Sequence, residues 1–127
     1  MTTVASRDMI GEAATARRLW TNEGMIVEFS GDADMRVFEP LKGFFREVHD
    51  EAVLAGVKKV SIDLRALEFM SSACIKVFVS WLLAIRELPP ESQYQLEFLS
   101  PRGVGWQRRT LAALSCFALD LVRTVEL

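Results

Sequence analysis

The stretch SIDLRALEFMSSACIK, residues 61–76, decides how the rest of the chain is read. With Val60 before it, Ile62 and Leu64 alternate with Ser61, Asp63 and Arg65, which is the period-two pattern of a strand packed on at least one face. From about Ser72 to Leu88 the sequence SACIKVFVSWLLAIREL is apolar on nearly every side, until Pro89 and Pro90 stop it. A strand therefore passes straight into a helix through a turn that carries two hydroxyls, Ser71 and Ser72. Lys76, Ser80 and Arg86 are the few polar positions of that helix, so it is expected at the centre of the fold, covered by its neighbours.

Upstream of this joint, Val37, Phe38, Leu41, Phe44, Phe45 and Val48 recur at spacings of three and four. Glu39, Lys42, Arg46, Glu47 and Asp50 fill the other face. That spacing predicts an amphipathic helix closed near Gly56. Earlier still, ARRLW and MIVEFSG flank TNEG, whose Asn22 to Gly24 supply turn chemistry for a hairpin. Residues 1–15 are polar or small and without periodicity, and are expected as a flexible N-terminal segment ahead of a domain spanning 16–127. Downstream, YQLEFL reads as a strand, GWQRRTLAALSCFA as a helix and DLVRTVEL as a closing strand. The sum is a single α/β domain of order β-β-α-β-α-β-α-β. Short connections between alternating strands and helices imply right-handed crossovers and a mixed, mostly parallel sheet with helices packed on it. Ser71 and Ser72 then lie at the C-terminal edge of a strand, where open α/β sheets bind ligands and partners.

Composition narrows the function. A chain of 127 residues, half of them hydrophobic, is one domain with a substantial core. Its formal net charge of −2 comes from interspersed acids and bases, which leaves no electrostatic footprint for nucleic acid or an anionic membrane. A protein or small-molecule partner is expected instead. The longest apolar run, Val77 to Ile85, is far short of the roughly 20 residues that span a bilayer, and the N-terminus has no apolar core of signal-peptide length. A soluble protein of the reducing cytoplasm is expected. Cys74 and Cys116 sit in apolar helical contexts and are read as packing. With His49 as the single histidine, there are too few ligands for zinc or haem, so no metal or cofactor is expected.

Individual polar candidates are read in the same way. His49 falls on the polar side of its helix and is expected to be solvated. Asp32 and Asp34 in GDAD lack the ligand run of a calcium loop and are expected to cap the helix that follows. In SPRGVGWQRR, Gly103 and Gly105 stand near Arg102, Arg108 and Arg109, but the spacing matches neither the dinucleotide fingerprint nor the P-loop. Trp106 among these arginines suits either a protein contact or closure of one end of the core. No convergent set of titratable residues suggests an enzyme.

VSIDLRALEFMSSACIKVF, with its hydrophobic strand, Asp-Leu, aromatic-Met, serine and apolar helix, resembles the central motif of STAS domains, the fold of bacterial anti-sigma factor antagonists. MIVEFSGDAD, YQLEFLSP and LAALSCFAL with DLVRTVEL follow in the family's order, so the resemblance covers roughly residues 17 to 127. In that family the strand-to-helix turn reads Asp-Ser-Ser/Thr-Gly, and the serine after the aspartate is phosphorylated by a partner kinase that doubles as an anti-sigma factor. Alignment on Phe69-Met70 puts Ser71 at the aspartate, Ser72 at the phosphorylated serine, Ala73 at the next hydroxyl and Cys74 at the glycine. Only Ser72 keeps the family's chemistry, and a slip of one residue would make Ser71 the acceptor. The resemblance implies a non-enzymatic regulatory module that binds a protein partner through residues 71–75, with Asp32, Asp34 and Trp106 as secondary interface candidates. The partners it implies are a serine kinase of the anti-sigma type, a matching phosphatase or another signalling protein. A decayed motif in which the serines only cap the helix is the alternative. Oligomeric state is not readable from the sequence.

Overall fold

Alternation in the first third of the chain folds as a hairpin at the edge of a sheet. In the computed structural model, which describes residues 8–22 and 24–127, a short strand β1 (Met9–Ile10) leads into β2 (Ala14–Thr21) and β3 (Gly24–Ala33). A 3-10 turn at Met35–Val37 starts α1 (Phe38–Ala55). Then follow β4 (Lys59–Met70), α2 (Ser72–Arg86), β5 (Gln95–Ser100), α3 (Gly105–Phe117) and β6 (Val122–Glu126). The strands lie side by side in chain order, antiparallel from β1 to β3 and parallel from β3 to β6. The expected succession of strands and helices is present, and the hairpin turns between Thr21 and Gly24.

The start of the chain departs from expectation. Residues 1–7 of the segment expected to be flexible lie outside the described residues, but β1 and the first residues of β2 belong to the sheet. Ala14 and Ala16 are fully buried. Their small side chains carry too weak a hydrophobic signal for periodicity to detect. Gly31 opposite Ala14 has a left-handed φ of 89°, and a Cβ there would meet the Ala13 carbonyl at 2.3 Å, so only glycine lets β2 and β3 approach so closely.

Strand register explains the layering. Ala16 pairs with Phe29, Val27 with Ile62, and Ile62 with Phe98, and all of them are buried on one face. Arg17, Glu28, Asp63 and Leu99 on the other face keep solvent contact. The three helices therefore cover a single face. α1 contributes Leu41, Phe44, Phe45, Val48 and Ala52, and its C-terminus is closed by Gly56 in the left-handed conformation (φ 68°), as its position predicts. Phe45 packs on Trp81 and Phe78 with ring centroids 4.8 and 5.1 Å apart, and Phe78 meets Phe98 edge-on at 5.4 Å. Each such pair contributes about 0.5–1.5 kcal/mol beyond its area.

α2 lies between α1 and α3, as its apolar character suggests, yet Lys76, Ser80, Leu83 and Arg86 form an uncovered stripe along it. One reading is corrected here, and one buried charge is added. Cys116 is exposed rather than buried, because Leu111 and Leu114 are the residues that α3 turns towards the sheet. Arg18, on the helix-facing side of β2, is a charge inside the core. It is only 3% exposed, with its guanidinium bonded to Glu47 and Glu51 of α1 and 4.7 Å above the Phe44 ring.

Candidate functional site

The C-terminal edge of the sheet is built where β3 and β4 end side by side. Two register shifts between these strands, after Glu28 and after Gly31, give β4 extra residues and break its alternation. Leu64, Leu67 and Met70 consequently point inward at intervals of three, while Phe69 turns outward and is 48% exposed. Phe69 pairs in register with Asp32 of β3, itself exposed, and Met35 in the following turn is 63% exposed. Sequence reasoning missed both Phe69 and Met35, since a period-two reading cannot place residues beyond a bulge. They are two large apolar side chains presented at one edge.

Ser71 holds the joint together. Its backbone N–H donates to the Ala33 carbonyl at 2.8 Å, tying the exit of β4 to that of β3. Its hydroxyl accepts the Cys74 backbone N–H at 3.2 Å, the bond of a helix N-cap, and its own carbonyl accepts from Ile75 N–H at 3.0 Å. Ser72 is then the first helical residue, with an exposed side chain beside the unpaired N–H groups of the first turn. Ala73 and Ile75 are partly exposed. Cys74 is completely buried, its thiol pointing at the Asp34 carbonyl at 3.6 Å, and burial pushes the thiol's pKa up. It packs, as its context suggests, and presents no surface to a partner. Its side chain points inward and leaves the turn uncrowded.

The carboxylates of GDAD divide their roles. Asp34 accepts the Arg36 backbone N–H at 2.9 Å, capping the 3-10 turn that begins α1, and forms a bidentate pair with the Arg36 guanidinium. That side-chain hydrogen bond holds its carboxyl below the usual carboxylate range. Asp32 caps no helix, in contrast to the expectation, because it is still within β3. α3 begins at the same edge. There Gln107 donates to the Leu64 and Leu67 carbonyls at 2.8 and 3.0 Å and accepts from the Ser100 hydroxyl at 2.9 Å, bonding the part of β4 that runs on past its last pair with β5, Asp63 with Leu99. Trp106 beside it is half-buried against the core and closes that end.

His49 is not a solvated surface histidine. Its Nδ1 lies 2.6 Å from the Tyr94 hydroxyl, which also accepts the Trp81 indole N–H at 2.7 Å. Burial holds the ring's pKa below its ordinary value. Tyr94 directly precedes β5, so this network stands at the N-terminal edge, the opposite end from Ser72. Among the described residues no group of His, Cys, Asp and Glu could hold a metal ion, and no helix is long and apolar enough to cross a membrane.

No protein-family model matches the sequence, and no curated protein matches it. Among solved structures, the crystal structure of an anti-sigma factor antagonist from Mycobacterium paratuberculosis is similar, with a TM-score of 0.60 and 18% identity over 87% of this chain and 86% of that one. The fold is STAS-like. At this identity the likeness is one of architecture, and function is a matter of the residues.

Proposed function

We propose that the chain is a non-catalytic signalling module of the anti-sigma antagonist kind, acting in the bacterial cytoplasm. It binds a protein partner through the edge formed by Asp32, Met35, Phe69 and residues 71–75, and phosphorylation of Ser72 switches the contact. The observation that carries this reading is the division of labour between the two serines: Ser71 is committed to the cap, and Ser72 is exposed and free of structural duty. Around it stand the two outward apolar residues, Phe69 and Met35, suited to be covered by a partner. A phosphate on Ser72 would lie at the positive end of α2 and one turn from Lys76, so the fold would tolerate it. A partner docked over Phe69 would face about two added negative charges. The partner kind this favours is a serine kinase that also acts as an anti-sigma factor, with a phosphatase to reverse the modification.

The experiment is phosphopeptide mass spectrometry on the protein from its own cells. Cleavage after Arg65 and Lys76 releases ALEFMSSACIK, whose only hydroxyl acceptors are the two serines. Phosphate on Ser72, with loss of partner binding in Ser72→Asp, is the expected result. Phosphate on Ser71 would move the acceptor by one residue and sacrifice the cap. An unmodified peptide across growth conditions would leave a STAS-like scaffold with a constitutive partner, the reading that Ser71's place at the family's aspartate favours.

A further inference from the structure

A second surface lies on the outer side of the helices, where α1 and α2 leave an open cleft of about 830 Å³ running from Phe38 and Val77 to Asp50 and Ala84. Its length along α1 is about 18 Å at 1.5 Å per residue. Phe45 and Trp81 close its floor with almost no exposed surface, Phe38 and Ala84 are the half-exposed apolar residues of its walls, and Gly43 keeps the α1 wall low, since nothing lies within 4 Å of where its Cβ would be. Arg46 stands on one wall and Lys76 on the other, and neither has an ion-pair or hydrogen-bond partner among the described residues. Lys42 is already engaged with Glu39 and the Phe38 ring. His49 adds a third polar side chain to the lining. Its Nδ1 shares a hydrogen bond with the buried Tyr94 hydroxyl, which also accepts the Trp81 indole N–H, so the ring is held in place at the cleft.

We propose that this cleft is a docking site for an acidic segment of a partner protein, one that lays apolar side chains along Phe38 and Ala84 between carboxylates reaching Arg46 and Lys76. Charge complementarity selects the occupant: with Lys42 matched by Glu39, Arg46 and Lys76 outnumber Asp50, the one remaining carboxylate of the lining. The whole chain is net negative, so any attraction for an acidic segment has to come from these local cations. A long trough open to solvent with cations on facing walls suits a stretch of polypeptide better than a small anion, which would be enclosed on few sides. The inference does not depend on the role of Ser72.

The test is fluorescence anisotropy with a fluorescein-labelled peptide of about ten residues, in which pairs of Glu alternate with pairs of Leu, beside a counterpart with Gln for every Glu. The acidic peptide is expected to bind at least about tenfold more tightly than the Gln peptide, and Arg46→Gln with Lys76→Gln is expected to remove that preference. Gly43→Leu fills the cleft from a helical position where a side chain favours the fold, so it should abolish binding without lowering the unfolding temperature. Absence of binding, equal affinity for the two peptides, or unchanged binding by folded Gly43→Leu would overturn the proposal. Full displacement by free glutarate would likewise overturn it, showing a small-anion site instead.

Discussion

The Ser71 hydroxyl accepts the Cys74 backbone N–H at 3.2 Å, while its neighbour Ser72 points into solvent. The two serines are thus structurally unequal despite being adjacent and chemically identical. Ser71→Ala should lower stability by about 1 kcal/mol, the usual cost of a lost N-cap, and Ser72→Ala should stay within about 0.5 kcal/mol of the parent. Urea denaturation of both variants measures the difference. A larger loss at Ser72 would mean that the cap is made by the other hydroxyl, and the phosphoacceptor assignment would fall with it.

Arg18 is buried beneath α1, but the carboxylates it meets, Glu47 and Glu51, are each more than a third exposed. This asymmetry predicts which side of the cluster is costlier to remove. Without Arg18, both acids can turn to water, so Arg18→Met should cost no more than about 1–2 kcal/mol and keeps the apolar contact with Phe44. Without both acids, a guanidinium is left in the core, and Glu47→Ala with Glu51→Ala should cost about 3 kcal/mol or more. Equal losses in equilibrium unfolding would show that the pair contributes as a simple surface ion pair.

Most of the fold was legible because its elements carry strong periods. Leu41 to Val48 repeat at helical spacing, Val60 to Leu64 alternate, and Pro89 and Gly56 punctuate the helices as their chemistry requires. What was hidden has local physical causes. β1 and Ala14 escaped because alanines bury without a hydrophobic signal, and the exposure of Phe69 escaped because bulges shift which residues face out. His49 looked solvated because the Tyr94 that binds it lies 45 residues away, and sequence spacing carries no record of such contacts. The candidate site was legible as a joint between strand and helix, whereas its apolar rim was not.

Gly31 and Gly43 should respond oppositely to the same change. At Gly31 the backbone is left-handed and a Cβ would press on the Ala13 carbonyl, so Gly31→Ala should cost at least about 2 kcal/mol and loosen the β2–β3 hairpin. Gly43 lies within α1 with open space around it, so Gly43→Ala should raise stability by about 0.5–1 kcal/mol. Thermal unfolding of the two variants gives the answer. A stable Gly31→Ala would show that the start of β2 can move away from β3 at little cost, and that the strand pairing there is not set by this glycine.

The chain from Trp81 through Tyr94 to His49 makes stability depend on pH in a defined window. Tyr94 can donate to His49 only while Nδ1 is bare, and burial already disfavours the charged ring, so the folded state holds its histidine below the unfolded value of about 6.5. Above that value both states are neutral and the contribution is fully present. As pH falls below it, the unfolded chain takes up a proton that the folded chain refuses, and stability is lost until the folded ring protonates as well. The slope cannot exceed about 1.4 kcal/mol per pH unit for one proton, and it will be smaller because the ring keeps some access to water. Asp50 next to His49 opposes the effect of burial without outweighing it. Asp34, Asp63 and Asp120, paired with arginines, hold their carboxyls low and act on stability only at more acid pH. Urea denaturation between pH 7.5 and 5.5 should therefore show a decline in the parent that His49→Gln lacks. If both proteins decline in parallel, the histidine is not the group responsible, and the hydroxyl of Tyr94 does not hold it neutral.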